Sequence, residues 1–561
     1  MAIFPIHRTY RHIRRYRQII GTLVKYGFGD VLERMRLEFY RRLHRKLLPG
    51  APARNIDAVS RPRRIRMAFE ELGPSFIKLG QLLSIRSDLL PREYVDEFAK
   101  LLDAVPSFPS RQAVEIIETE LNAKLQDCYR EFDPEPISAA SIAQVHRAVT
   151  REGKEVVIKI QRPGIERTIE EDILILYDLA NLIEKYLEES QLYNPTGIVD
   201  EFSRTIRREV DFIREGHNID RFRKNFRSDP TIYIPEVHWN LTTRRVLTME
   251  MIHGIKLNQL ERLTLSTEAK KLLARRGAQA TLKAVFEYGF FHADPHPANI
   301  FILEDLRIAP VDFGIVGALD DQSREVLSAL LRGVIEKDPD QIIRAFYTLG
   351  SIDAEVDVKG LRRDIYEFVD HYHGLPLNQI QPAQTVPELF EVVRRHRVRL
   401  PVEFSFIGKV LVFQSAVGQE LDPDFDIIDI SRPFIRNIVM RRFRPQRQLR
   451  DLFHFYEDAF DFLKMLPYEL MQILRKSRQG DAEKRLERQL LEQMSRETER
   501  AGNRISLALV IAAISLGSSM LIQSAAGPFF LGISLLGLIG YAIAAMLAAW
   551  LLFSIWRSGK L

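Results

Sequence analysis

The chain has 561 residues, more than a single hydrophobic core usually holds, which predicts a large catalytic domain with helical additions. Its composition, with 46% hydrophobic and 28% charged residues, is that of a folded protein and excludes long low-complexity stretches. The single cysteine, Cys128, excludes an intramolecular disulfide framework and a cysteine-rich zinc site, and it fits a reducing compartment.

Positive charge is concentrated at the N-terminus. Residues 1–66 hold 17 Lys and Arg against 4 Asp and Glu, although the net charge of the whole chain is only +5. Arginines between Arg8 and Arg17 alternate with apolar residues, which predicts a basic amphipathic helix on an anionic membrane leaflet over residues 1–60. A solvated helix face is the main alternative. Nucleic acid binding is disfavoured because no stacking or groove-reading motif accompanies the arginines, and a transit peptide is disfavoured because serine is nearly absent.

A helical extension is predicted over residues 61–130. Helical periodicity runs from about Ile65 to Leu125 and is interrupted at Gly73-Pro74 and at Leu90-Pro91. These interruptions predict two or three helices ahead of the first strand.

A small sheet with a helical insert is predicted over residues 131–253. Two β-prone runs, 143–149 and 155–160, flank a turn and predict a hairpin. A helical tract follows from Gly164 to about Phe226. Two further strands are predicted, near 231–234 and 245–251.

The segment 254–475 is predicted to be mostly helical, with one long helix from Leu272 to about Tyr288 and further helices over 322–474. A small sheet followed by helices is the order of a bilobal protein kinase, so the predicted fold class is α+β with a kinase-like bilobal fold. Residues 476–504 are predicted to form a charged linker.

The C-terminal segment 505–556 contains 52 residues without a single Asp, Glu, Lys, Arg or His. A bilayer-spanning helix needs about 20 apolar residues, so the run is long enough for a two-helix transmembrane hairpin. Arg504 and Arg557 flank it, and the positive-inside rule then places the catalytic domain in the cytoplasm. The sequence therefore predicts an integral membrane protein.

Two acidic residues and an amide follow one another at the spacing of a kinase catalytic loop. Asp294 is followed after four residues by Asn299, and Asp312 stands at the end of an apolar run before Phe-Gly. Phosphoryl transfer needs a carboxylate near the acceptor and oxygen ligands for Mg²⁺. We interpret Asp294 as the base or water-orienting group, and Asn299 and Asp312 as metal ligands.

Lys159 ends the apolar strand run Val-Val-Ile-Lys, where an isolated cation is unfavourable unless it has an anionic partner. A nucleotide phosphate is the predicted partner, and a solvent-facing edge lysine is the alternative. A kinase lysine also pairs with a helical glutamate. Glu209 and Glu215, with Asp211 between them, offer two candidates, of which Glu215 is favoured.

His292 and His296 are four residues apart, as two zinc ligands on a helix would be. Pro295 and Pro297 interrupt any such helix, so structural roles are predicted for both histidines.

Together these motifs resemble the UbiB family of atypical kinases, also called aarF-domain kinases, from about Arg61 to Asp320. The resemblance implies ATP and Mg²⁺ as cofactors and a kinase-like fold whose signature helices cover the substrate cleft. The terminal hairpin is similar to that of bacterial members linked to ubiquinone biosynthesis, which implies the bacterial inner membrane. The residues that carry these implied nucleotide-site roles are Lys78 and Gln81 of the Lys-x-Gly-Gln signature, Ala139, Ala140 and Ser141 of the Ala-rich loop, and Glu209 and Asp211 of the Glu-x-Asp motif.

The sequence departs from the typical family pattern at Ala143 and Ala298, where glycine is common. Both changes keep the functional side chains and restrict the loops only modestly. The chain lacks the Gly-x-Gly-x-x-Gly loop and the Ala-Pro-Glu motif of ordinary protein kinases, which disfavours protein substrates.

The predicted function is that of a membrane-bound atypical kinase or ATPase supporting isoprenoid-quinone biosynthesis. Anionic lipid and quinone-pathway intermediates or enzymes are its expected partners, and nucleic acid is not. A nucleotide-gated protein that binds or presents lipid without phosphotransfer is the alternative. The phosphate acceptor and the oligomeric state are left open by the sequence.

Overall fold

The computed structural model separates the chain into two units, residues 1–444 and 445–561. The predicted linker 476–504 lies outside the described residues. The described residues are 10–29, 59–101, 105–186, 194–262, 265–349, 357–372, 381–398, 400–442, 507, 510–520, 522, 529–530 and 533–557.

More helices precede the sheet than the two or three predicted between Ile65 and Leu125. The helix break at Gly73-Pro74 is confirmed: Gly73 takes a φ of +92°, and Pro74 starts the next helix, where the missing N–H has no intrahelical partner to lose. The helices are α1 (Tyr10–Lys25), α2 (Arg61–Leu72), α3 (Pro74–Ile85), α4 (Arg92–Phe98), α5 (Ser110–Leu121) and the short α6 (Leu125–Cys128).

The first sheet is antiparallel, with strand order β1-β3-β4-β5 and β2 paired to β3. The predicted hairpin is confirmed as β3 and β4, with Val145 opposite Lys159. Side chains alternate along β4, so Ile158 and Ile160 enter the core under α5 while Lys159 faces the other way. The strands are β1 (Tyr129–Phe132), β2 (Ser138–Ala139), β3 (Ala143–Thr150), β4 (Glu155–Gln161) and β5 (Val246–Glu250).

The strand predicted near 231–234 is wrong. Only Ile232 forms a bridge, parallel to Ile308. Pro230 and Pro235 bracket the segment and cannot donate to a ladder, which stops the pairing from extending. The helical tract between β4 and β5 is confirmed as α7 (Ile165–Tyr186), α8 (Pro195–Glu209) and α9 (Phe212–Asn225).

Helix α1 packs its apolar side against the rest of unit 1. Ile19 and Ile20 are buried, and Arg15 donates to both carboxylate oxygens of Asp172 on α7 at 2.6 and 2.9 Å. Arg14 and Arg17 are exposed. The predicted helix is confirmed, but the protein covers much of the apolar side that was expected to meet lipid.

The second lobe is mostly helical, as predicted, and carries two small sheets in its described part; residues 443–475 of the predicted lobe lie outside the described residues. A π-helical turn (Lys283–Tyr288) prolongs α10. The strands are β6 (Ile255–Lys256), β7 (Phe290–His292), β8 (Ile300–Ile302), β9 (Ile308–Pro310) and β10 (Val316–Ala318), ordered β6-β8-β9 and β7-β10. The helices are α10 (Thr267–Leu282), α11 (Asp321–Ile335), α12 (Pro339–Thr348), α13 (Val358–His371), α14 (Pro382–Arg395), α15 (Val402–Leu421) and α16 (Ile427–Arg442).

An apolar cavity of about 120 Å³ lies between α10 and α15 behind the second lobe's strands. Leu273, Phe291, Ile302 and Val410 are among its lining residues, and His292 reaches its edge.

In unit 2, residues 510–520 are helical, and β11 (Phe529–Phe530) pairs with β12 (Ile533–Ser534) ahead of α17 (Leu535–Arg557). No helix in the described part of the chain is both long and apolar enough to span a membrane. Residues 523–528 lie outside the described residues, and the transmembrane hairpin stays a prediction.

Candidate active site

The cleft between the first sheet and the second lobe is built around Lys159. Its Nζ donates to both carboxylate oxygens of Glu215, in the first turn of α9, at 2.8 and 2.9 Å. Burial alone would lower the pKa of Lys159, but the carboxylates of Asp312 and Glu215 raise it above its ordinary value. Lys159 is therefore charged and held by Glu215, the favoured one of the two candidate glutamates.

Asp312 is fixed from three sides. Lys159 Nζ lies 3.6 Å from Oδ1, the Gly314 N–H donates to Oδ1 at 3.1 Å, and Asn299 Nδ2 donates to Oδ2 at 3.3 Å. Burial would raise the pKa of Asp312, but Lys159 and the Gly314 N–H hold it well below its usual range. The Asp312 carboxylate is thus ionised and lies next to the side-chain amide of Asn299, whose oxygen is a second possible metal ligand.

Phe313 anchors the segment that carries Asp312. Its ring is fully buried and lies 4.9 Å from the ring of Phe222 on α9. Its backbone N–H approaches Glu215 Oε1 at 3.4 Å, and its carbonyl accepts from Asn218 at 3.0 Å. Helix α9 therefore positions both Lys159 and the metal-site candidate Asp312.

The histidines have the structural roles predicted for them. The backbone N–H of Asp294 donates to Nδ1 of His292 at 3.2 Å, and Nε2 of His292 donates to the carbonyl of Asp312. Burial lowers the pKa of His292, which favours this neutral state. His296 accepts from the Ala298 N–H at 3.2 Å and caps the 3₁₀ turn (Pro297–Asn299) that presents Asn299.

Asp294 has a partner that no sequence motif predicts. Lys409 Nζ on α15 lies 2.5 Å from Asp294 Oδ1. Loss of hydration in the cleft would raise the pKa of Asp294, but Lys409, with a smaller contribution from Lys78, holds it below its ordinary value. Lys409 is the only basic residue in the 20-residue, largely apolar α15, and this isolation is the signal that the sequence offered.

Lys78 and Glu209 form a second ion pair over the cleft, 2.6 Å apart and about nine-tenths buried. The Cγ of Glu209 lies 3.7 Å from where a Cβ on Gly314 would stand, so the pair borders the Asp-Phe-Gly segment. Lys78 thus reaches an acid of the Glu-x-Asp motif. Gln81 donates to the Leu101 carbonyl at 3.1 Å, and its predicted nucleotide contact stays a prediction.

Asp211 stands at the N-cap of α9 with its Oδ2 3.6 Å from Arg214. Its Oδ1 is buried without a hydrogen bond.

The Ala-rich loop joins β2 to β3 at the rim of the first sheet. Its Ala140 N–H donates to Ala143 at 2.7 Å, and Arg162 donates to the Ala140 carbonyl at 3.1 Å. The Ser141 hydroxyl is fully buried and has no protein partner. Ala139 is the last residue of β2. The loop is thus closed internally and keeps one unused donor.

Three family models match the chain: the ABC1 atypical kinase-like domain over residues 100–346, the UbiB helical domain over 365–426, and the ABC1/UbiB kinase-like C-terminal domain over 489–557. Asp294, Asn299 and Asp312 fall in the first region, and Lys409 falls in the second.

Curated relatives match most of the chain. The probable protein kinase UbiB of Marinobacter nauticus is 34% identical and covers 82% of this chain and 86% of its own. The protein of the same description from Pseudomonas aeruginosa is 35% identical, with coverages of 78% and 84%. Among solved structures, a complex of Rv3197 with erythromycin from Mycobacterium tuberculosis matches with a TM-score of 0.44 and 23% identity, over 62% of this chain and 91% of that one.

Proposed function

The chain belongs to the UbiB family of atypical kinases, and from that membership we propose a membrane-bound enzyme that binds Mg-ATP and removes its terminal phosphate. The phosphoryl group passes to water or to a lipid or small-molecule acceptor in isoprenoid-quinone biosynthesis. The relatives' description as probable kinases named UbiB supports this assignment.

One observation carries the proposal: Lys159, Asp312 and Asn299 form a contiguous set, with separations of 3.6 and 3.3 Å between neighbours, and Asp294 stands on the same loop as Asn299. Catalysis of phosphoryl transfer consists mainly of positioning and charge neutralisation. Lys159 supplies a fixed cation for the nucleotide phosphates, and Asp294 orients the attacking oxygen and accepts its proton.

The residues present fit Mg²⁺. Magnesium is bound by one or two carboxylates together with substrate phosphates, and Asp312 offers an ionised carboxylate beside the side-chain amide of Asn299. Bound there, the ion would neutralise phosphate charge. The hydroxyl of Ser141 has no protein partner but is fully buried, so it would donate to the nucleotide only if the Ala-rich loop opens.

The pair of Lys78 and Glu209 covers the cleft, and a covered cleft favours water or a small acceptor over a polypeptide. This pair borders the Asp-Phe-Gly segment, where an ordinary kinase would admit a polypeptide. The uncharged segment 505–556 supports anchoring through a transmembrane hairpin in the bacterial inner membrane, with the catalytic unit in the cytoplasm. Exposed arginines of α1 add attraction to anionic lipid.

The decisive variant is Asp294→Asn. We expect it to reduce phosphate release by at least about 100-fold while nucleotide affinity changes by only a few fold, because the base acts mainly in the transition state. Asp424→Asn, which alters an exposed carboxylate near Lys271, is the matched control. Phosphate release retained by Asp294→Asn would reduce Asp294 to a structural residue.

The second candidate is a nucleotide-gated protein that binds apolar lipid without turnover. The apolar cavity that reaches His292 favours it, because such a space accepts hydrocarbon. Phosphate release measured with and without a quinone-like lipid separates the two. Nucleotide and lipid binding without phosphate release would favour this second candidate.

A further inference from the structure

Lys409 joins two parts of the chain that no local motif connects. Lys409, on α15, lies 115 residues beyond Asp294 in the chain, yet its ammonium group is 2.5 Å from the carboxylate. The two side chains are 37% and 42% exposed, so the pair faces the cleft and not the core.

Stability alone gives little reason for this pair. Ion pairs with such exposure contribute roughly 0–1 kcal/mol. Most residues around Lys409 in α15 are apolar, and Phe406, Ile407 and Val410 are buried. Because the side chain of Lys409 faces the cleft, packing gives no reason for a lysine there, which leaves the site as the reason for a cation.

The chemistry of the proposed reaction creates a need for one. A carboxylate beside a polyphosphate is repelled by like charge, and this repulsion favours its protonated form, which cannot act as a base. The other two site lysines already pair with carboxylates, Lys159 with Glu215 and Lys78 with Glu209. The loop from Asp294 to Asn299 contains no Lys or Arg, so the nearest cation comes from α15.

We propose that Lys409 is a positioning residue that keeps Asp294 ionised and oriented toward the nucleophile while the nucleotide is bound. The inference rests on the function proposed above. In the assisted step, the oxygen of water or of an acceptor hydroxyl bonds to phosphorus, and the bond from phosphorus to the bridging oxygen breaks. The bonding electron pair leaves with ADP, and Asp294 takes the nucleophile's proton.

Other charged groups around Asp294 do not replace Lys409. His292 receives the Asp294 N–H at Nδ1 and is neutral, so it orients the backbone without adding charge. Lys78 acts on Asp294 only from a distance, because its ammonium group is paired with Glu209. Asp312 is negatively charged, so it cannot supply the positive charge that Lys409 supplies.

The test compares Lys409→Met, which removes the charge, and Lys409→Arg, which keeps it, in the purified full-length protein with Mg-ATP. We expect Lys409→Met to lower kcat for phosphate release roughly 10- to 100-fold with KM for ATP changed less than about threefold. The acid limb of the pH–rate profile of Lys409→Met should also lie about one pH unit higher than that of the wild type, because the pKa of Asp294 rises without the cation. Lys409→Arg should restore most of the rate and the original acid limb.

Lys271→Met is the matched control, since Lys271 is 48% exposed and pairs with Asp422 at 3.5 Å on the surface. If Lys409→Met kept the wild-type kcat and pH profile, this inference would be overturned and the proposed function would stand. A lower melting temperature with unchanged kcat would have the same meaning. Absence of phosphate release from the wild-type protein would overturn the proposed function and this inference with it.

Discussion

Two glutamates six residues apart serve two different lysines. Glu209 ends α8 and pairs with Lys78, whereas Glu215 lies in the first turn of α9 and pairs with Lys159. The junction between the helices, at Asp211, turns the chain so that the carboxylates point to neighbouring parts of one cleft. Replacing Glu209 therefore removes the ion-pair partner of Lys78, whereas replacing Glu215 removes that of Lys159.

Asp312→Asn should remove most of the Mg-dependent stabilisation by nucleotide. A ligand present at 100 times its Kd stabilises a protein by about 2.7 kcal/mol, and losing the charged metal ligand should lose most of that shift. Thermal unfolding with Mg-ADP measures it, with Asp305→Asn on the exposed turn between β8 and β9 as control. An unchanged shift in Asp312→Asn would remove Asp312 from the metal site.

At the residue scale, the sequence indicates those site residues that lie close together in a recognisable motif. Asp294 and Asn299 share one loop, and Asp312 follows an apolar run, so a motif places all three. Lys409 has no such motif, because its partner is distant in sequence and α15 shows only an isolated lysine in an apolar helix. Periodicity likewise could not decide which glutamate pairs with Lys159, since that depends on the turn at Asp211.

Among the elements, α1 shows how one amphipathic pattern fits two environments. Its apolar side meets the protein, and Arg15 makes a largely buried ion pair with the fully buried Asp172. Hydrophobic periodicity predicts that a face is covered but not what covers it. The segment 231–234 shows the same limit, because its β-prone residues form no strand where the flanking prolines cannot donate hydrogen bonds to a neighbouring strand.

Arg15→Ala should destabilise unit 1 by about 3 kcal/mol, because it leaves the Asp172 carboxylate buried without its cation. Chemical denaturation measures the change in the free energy of unfolding. The matched control is Arg14→Ala, which removes an exposed arginine from the same helix. Equal stability of the two variants would mean that α1 contributes little to unit 1.

Helix α3 yields the prediction for the cover of the cleft. Substituting Lys78 and Gln81 together by alanine should raise self-phosphorylation or alter ATP turnover, because the cleft then opens to other hydroxyls. Lys78 pairs with Glu209 beside Gly314, whereas Gln81 holds a backbone carbonyl, so Lys78→Ala alone should produce most of the effect.

Phosphate incorporation and release, measured with radiolabelled ATP, report both changes. Lys78→Arg, which keeps the cation, serves as the control. A double variant that matches the wild type in nucleotide affinity, turnover and self-phosphorylation would leave α3 with a packing role.

For the whole molecule, deleting residues 501–561 should abolish integral membrane behaviour. The removed segment contains the entire uncharged run, whereas the basic residues near the N-terminus remain and should still give salt-sensitive lipid association. Carbonate extraction of membranes followed by a salt wash measures both effects. Carbonate-resistant retention of the shortened chain would contradict the hairpin.

The apolar cavity between α10 and α15 has a mechanical consequence. Unfolding eliminates internal void space, so hydrostatic pressure shifts the equilibrium toward the unfolded state. The cavity of about 120 Å³ is a partly open pocket rather than a sealed void, so only its dry part adds to the volume lost on unfolding. Val410 of α15 lines this cavity next to Lys409, so a loss of its space acts on the helix that carries that lysine. We expect pressure to destabilise the second lobe in proportion to that dry volume.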